Sequence, residues 1–83
     1  MEDSRIAMIA IVVEDSNSTT MLNEVLHAYA PYIIGRMGIP YHKKNVALIS
    51  VAIDASMDVI NSLTGKLGNI PGISVKTAYA KNI

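Results

Sequence analysis

With 83 residues and no cysteine, the chain has room for one small core, and disulfide staples and thiolate–metal clusters are both excluded. Seven basic side chains balance seven acidic ones, which removes the long-range attraction that binding to nucleic acid or an anionic membrane draws on. Apolar residues make up 51% of the chain, almost all aliphatic because Phe and Trp are absent and Tyr numbers four; this is more apolar surface than one small core needs, and it favours burial against a second subunit.

The N-terminus, Met1-Glu2-Asp3-Ser4, is acidic and lacks the basic region of a signal peptide. No apolar run approaches the ~18 residues of a membrane span, so the expected location is the cytoplasm. Residues 5–14 (RIAMIAIVVE) are β-branched and nearly all apolar, the pattern of a central strand buried on both faces. Asp15–Thr20 offers several N-caps, and Met21, Leu22, Val25, Leu26 and Tyr29 then recur at helical spacing on one stripe. Ala30-Pro31 ends this helix, because proline pushes its predecessor out of the α region. Tyr32–Met37 reads as a short second strand and Gly38–Asn45 (GIPYHKKN) as a turn. Val46–Asp54 is a third strand, again apolar on both faces. A second helix starts after Ala55-Ser56, carries Val59, Ile60, Leu63 and Leu67 on one side, and has Gly68 as its expected C′ residue. After the turn Asn69–Gly72, Ile73–Ala80 alternates as a fourth strand.

The two halves match at an offset of forty residues: 6–14 aligns with 46–54, and Pro31, Ile33 and Arg36 align with Pro71, Ile73 and Lys76. Two copies are too few for a solenoid. Two βαβ units joined by a short turn predict a ferredoxin-like α+β fold, βαββαβ, with strand order 4-1-3-2 and both helices on one face. The expected organisation is a single domain over 1–83 with its core in 5–81. The other face of the sheet would show mostly Ala, Ile and Val where a solvated antiparallel sheet carries polar residues, and it reads as a subunit interface.

The scaffold serves many functions, so the residues must discriminate. Iron–sulfur and copper-chaperone roles need cysteine. Base stacking needs aromatics on the central strands, and strands 1 and 3 carry none. The acidic, polar Glu14–Ser18 is no glycine-rich phosphate loop. His27 and His42 lack partners at metal-ligand spacing and read as solvated. No nucleophile–base–acid order stands out, and Glu14-Asp15 reads as a polar strand-to-helix junction. No enzyme activity, catalytic residue, cofactor or metal is expected.

The tract Gly35-Arg36-Met37-Gly38-Ile39-Pro40-Tyr41, which has no packing role in this reading, and the tract Gly65–Thr77 (GKLGNIPGISVKT) together resemble the "iron-only hydrogenase system putative regulator" family of small ACT-like proteins. At the level of fold the likeness extends to the C-terminal domain of the nickel-responsive regulator, without its metal site. The resemblance runs from about Arg5 to Lys81. It implies a ferredoxin-like fold, self-association through the sheet, and a regulatory role in that system, transcriptional regulation included.

Chain direction places Glu14–Ser18, Gly38–Asn45 and Gly65–Gly72 at one end of the domain. There the helix N–H groups favour an anionic group, Arg36 and Lys66 add positive charge, and glycines permit close backbone approach. The expected small-molecule site is therefore Asp15, Asn17, Ser18, Arg36, Met37, Gly38, Lys66 and Gly68, with a small anionic or amphoteric ligand. The competing reading is that the glycines serve only turns and helix capping. Expected partners are a second copy of the chain, as a dimer or tetramer, and a protein target, with neither nucleic acid nor membrane. The alternative function is a structural or protein-binding accessory factor with no small ligand.

Overall fold

The computed structural model describes residues 3–81, so the outermost residues of the expected 1–83 domain, 1–2 and 82–83, lie outside the described residues. The elements are β1 (Arg5–Val13), α1 (Thr19–Ala28), β2 (Ile33–Tyr41), β3 (Val46–Ala55), α2 (Met57–Gly68) and β4 (Ile73–Tyr79). They form an antiparallel sheet in the order β2-β3-β1-β4, the expected 4-1-3-2 arrangement read from the other edge. The fold is ferredoxin-like, and its elements recur at close to the forty-residue offset seen in the sequence.

Side-chain alternation gives the sheet two different faces. Ala7, Ile9, Ile11 and Val13 of β1, with Ile49, Val51 and Ile53 of β3, are buried against Leu22 and Leu26 of α1 and Ile60, Leu63 and Leu67 of α2. These residues join in one cluster. Truncating a fully buried member such as Leu63 to Ala leaves a cavity and costs about 2–5 kcal/mol. The opposite face carries Met8, Ala10, Met37, Ile39 and Leu48, all exposed.

Local signals explain most element ends. Ser56 is extended at φ −63°, ψ 158°, and its hydroxyl accepts from the Val59 N–H at 3.3 Å, capping α2. The start of α1 is built differently: a 3₁₀ turn, Ser16–Ser18, precedes it, and the carboxylate of Asp15 accepts from the Asn17 N–H at 3.0 Å. Met21, placed on the apolar stripe by spacing, is exposed, because the stripe that meets the sheet is Leu22, Leu26 and Tyr29 with Val25 beside it.

Several boundaries differ from the sequence reading: β1 stops at Val13 and β3 runs on to Ala55, each one residue from its expected end. β2 begins at Ile33, after a 3₁₀ turn that takes in Tyr32, and continues through Gly38 and Pro40 to Tyr41. The expected Gly38–Asn45 turn therefore shrinks to a 3₁₀ turn at His42–Lys44. Proline is tolerated here because β2 is an edge strand, where a missing N–H removes no obligatory ladder bond. Gly38 faces Ile49 in the ladder rather than bending the chain. Gly68 is the last residue of α2 rather than its C′ residue; Asn69 follows in right-handed geometry, and the left-handed glycine of this connection is Gly72, at φ +74°. β4 closes at Tyr79, one residue early.

Candidate functional site

The pairing between β1 and β3 ends at Val13 opposite Ala47, whereas that between β2 and β3 continues to Tyr41 opposite Val46. The β2–β3 hairpin thus overhangs the end of β1. Its tip is turned by His42–Lys44 and by Asn45, which is left-handed at φ 56°, a conformation that asparagine tolerates better than most residues. Beneath the overhang, between the hairpin tip and the β1–α1 connection, lies a cavity of about 440 Å³. Its polar lining comes from Glu14, Asp15, Ser16 and Thr19 on one side and Tyr41, His42 and Asn45 on the other.

The acidic wall of this cavity is held in place by backbone. The Glu14 N–H donates to the Gly72 carbonyl at 2.7 Å, and the Ser18 N–H donates to the Asp15 carbonyl at 3.0 Å. The Ser18 hydroxyl, in a buried residue, donates to the Pro71 carbonyl at 2.5 Å. The β1–α1 loop is therefore fastened to the α2–β4 connection across the end of the sheet. These bonds also change the chemistry expected there. The N–H groups of Asn17, Ser18 and Thr19, which the sequence reading offers to an anion, already donate to the Asp15 carboxylate, the Asp15 carbonyl and the Ser16 carbonyl. What the cavity presents instead is two carboxylates, hydroxyls, an imidazole and an amide, a set suited to an amphoteric molecule whose cationic group meets Glu14 and Asp15.

The residues expected to share one site fall in separate places. Asp15, Asn17 and Ser18 do stand together at this end, joined there by Pro71 and Gly72. Arg36 lies mid-strand in β2, opposite Val51, and its guanidinium donates to Asn23 Oδ1 at 3.1 Å along a groove beside α1. Met37, the next residue, projects from the other face of the sheet, and Gly38 faces Ile49. Lys66 places its ammonium 5.3 Å from the centre of the Tyr29 ring, a cation–π contact, and Gly68 closes α2. Ser16, Thr19, Tyr41, His42 and Asn45 line the cavity but are absent from the sequence-based set. The signal for them is the alternation Met37, Ile39, Tyr41, which lengthens the hairpin and carries His42 past the end of β1.

The Lys66 contact belongs to a second polar cluster. Tyr29 Oη and Ser62 Oγ share a 2.6 Å hydrogen bond between the two helices. That bond, with a smaller contribution from the nearby Lys66 ammonium, holds the Tyr29 hydroxyl below the ordinary phenol range against the opposing effect of burial. Among the described residues, no three His, Asp or Glu side chains gather closely enough to hold a metal ion, and no helix is long and apolar enough to cross a membrane.

Comparison with known proteins accords with this fold. Residues 5–77 match the TM1266-like family model, described as "Iron-only hydrogenase system regulator, putative". The structure of the uncharacterized protein TM1266 from Thermotoga maritima superposes with a TM-score of 0.91 at 35% identity, covering 95% of this chain and 100% of that one. The C-terminal domain of the MgtC protein from Mycobacterium tuberculosis shares the fold at 11% identity, with a TM-score of 0.74 over 99% of this chain and 96% of that one. A formyltetrahydrofolate deformylase from Pseudomonas putida KT2440 shares it at 12% identity, with a TM-score of 0.65 over 94% of this chain and 29% of the enzyme. No curated protein matches the sequence.

Proposed function

The chain belongs to the TM1266-like family, and from that premise we propose that it is a ligand-responsive regulatory module of the iron-only hydrogenase system, acting in the cytoplasm by binding rather than by turnover. The cavity under the β2–β3 overhang takes a small amphoteric molecule, with its cationic group toward Glu14 and Asp15 and its polar groups toward Thr19, His42 and Asn45. The single observation that carries this reading is the cavity itself, about 440 Å³ and polar on both walls, a volume within the range of small-molecule sites.

The output is a protein contact rather than a nucleic-acid contact, since the balanced charge of the chain supplies no phosphate attraction. Occupancy couples to the rest of the fold through the loop that Ser18 ties to Pro71, because a ligand held by Glu14 and Asp15 braces the connection between α2 and β4.

Thermal denaturation in the presence of free amino acids, small carboxylates and phosphates tests the reading. A true ligand at a hundredfold excess over its dissociation constant adds about 2.7 kcal/mol. Glu14→Gln and His42→Ala, both at exposed positions, should leave the unliganded melting temperature unchanged and abolish the ligand-induced rise. A rise that persists in both variants contradicts the site. The absence of a rise with any compound favours a protein-binding accessory that takes no small ligand.

A further inference from the structure

We infer that the face of the sheet opposite the helices is closed by a second copy of this chain, in a two-fold interface where Met8 of each copy seats in a hollow of the other. The side chains at issue are large, apolar and in water: Met8 is 46% exposed, Met37 63%, Ile39 53% and Leu48 41%. In the ladder, Met37 stands opposite Ser50 and Ser50 opposite Ala10, while Ile39 stands opposite Leu48 and Leu48 opposite Val12. Small side chains at Ala10 and Ser50 thus lie in a row below large ones, and the result is an apolar hollow of about 200 Å³ walled by Val12, Met37, Ile39 and Leu48.

Three features select a second copy as the occupant. First, the patch is self-complementary. Met8 lies on the same strand as Ala10 and two residues from it, so one surface carries both a protruding side chain and a hollow, as an isologous contact requires. Methionine, unbranched and polarizable, adapts to such a space. Secondly, the area fits. Four strands of nine, nine, ten and seven residues, spaced about 4.8 Å apart at 3.4 Å rise per residue, make a patch of roughly 570 Å² before side-chain relief is counted, the same order as the ~800 Å² per partner of a standard interface. Thirdly, charge does not oppose pairing. The register places Asp54 and Lys76 on this face, one of each sign, Asp54 at its end opposite Ile6 and Lys76 on the edge strand opposite Ala10. Two such faces carry no net repulsion and leave the hollow free of charge.

Sedimentation velocity of the full chain at micromolar concentration is the direct test. The expected mass is twice the 8.9 kDa of one chain. Met8→Glu and Ser50→Glu should each raise the dimer dissociation constant on the order of 100-fold, the effect of losing a buried anchor, with unchanged far-ultraviolet circular dichroism, while Met8→Leu should remain dimeric. Because the chain has no cysteine, a second experiment is independent of variant stability: a Met8→Cys chain mixed with a Ser50→Cys chain should form a crossed disulfide on mild oxidation. A monomeric wild-type chain overturns the inference and leaves the face to another occupant. A dimer that survives both glutamate substitutions and gives no crossed disulfide overturns it as well.

Discussion

Gly72 packs against Asp15 so closely that a Cβ added to the glycine would lie 2.6 Å from the Asp15 Cβ, and its φ of +74° is one that side chains rarely adopt. The same two segments are bonded through the Glu14 N–H and the Gly72 carbonyl. Gly72→Ala therefore meets backbone strain and a collision at once. The left-handed conformation alone costs roughly 1–2 kcal/mol for a residue with a Cβ, and the collision adds to it. Thermal unfolding should show a loss of more than about 2 kcal/mol, on the order of 10 °C for a domain of this size. By contrast, Gly35→Ala and Gly65→Ala, where a Cβ meets nothing within 4 Å, should unfold within a few degrees of the parent. A Gly72→Ala chain as stable as those two would contradict the close approach.

Ser18 supplies a separate measurement at the same junction. Its hydroxyl makes no capping bond to α1 and donates instead to the Pro71 carbonyl. Ser18→Ala leaves that carbonyl without its donor, and about 1–2 kcal/mol of stability should be lost in chemical denaturation. Ser18→Thr retains the hydroxyl and should recover part of the loss. Equal losses for the two variants would mean that packing, not the hydrogen bond, makes Ser18 matter.

The helix-to-helix cluster predicts a pH dependence. Tyr29 is held below the ordinary phenol value of 10.0, first by its bond to Ser62 and then by Lys66. As pH rises through the lowered folded value, the folded chain releases its proton first, so stability is gained; the gain is complete above the unfolded value and is lost when the pH is brought back down. Absorbance titration should show a tyrosine component below 10.0 that Tyr29→Phe removes and Ser62→Ala moves upward. A titration curve unaltered by Tyr29→Phe in that range would contradict the assignment.

Much of the architecture was written in local pattern. The β-branched runs at 5–14 and 46–54 read as central strands and are β1 and β3, the Leu22/Leu26 and Ile60/Leu63/Leu67 stripes read as helices on a core and are α1 and α2, and Pro31 and Gly72 mark turns that exist. The hairpin misled because Gly38 and Pro40 are strong turn formers, while the alternation of Met37, Ile39 and Tyr41 between them carries the opposing period-2 signal. An edge position decided the matter, and edge position is a property of the whole sheet.

The site was less legible for a related reason. Arg36 and Met37 are neighbours in sequence, but a strand sends neighbours to opposite faces, so no single pocket can take both side chains. The partner of Arg36 is Asn23, thirteen residues away on α1, and only the packing of α1 beside β2 brings them together. The backbone donors near Asp15 looked open to an anion because the carboxylate that occupies one of them is itself part of the loop.

The proposal that this end of the sheet is the regulatory site is tested most directly by mapping amide chemical shifts on the ¹⁵N-labelled chain while titrating the compound that raises its melting temperature. The expected result is a saturable perturbation concentrated at Glu14–Thr19 and Tyr41–Val46, extending through Pro71's neighbours to Gly72, and absent in Glu14→Gln. Perturbations centred instead on Asn23, His27 and Arg36, or on the strands bearing Met8 and Met37, would contradict it and move the ligand to the groove beside α1 or to the open face of the sheet.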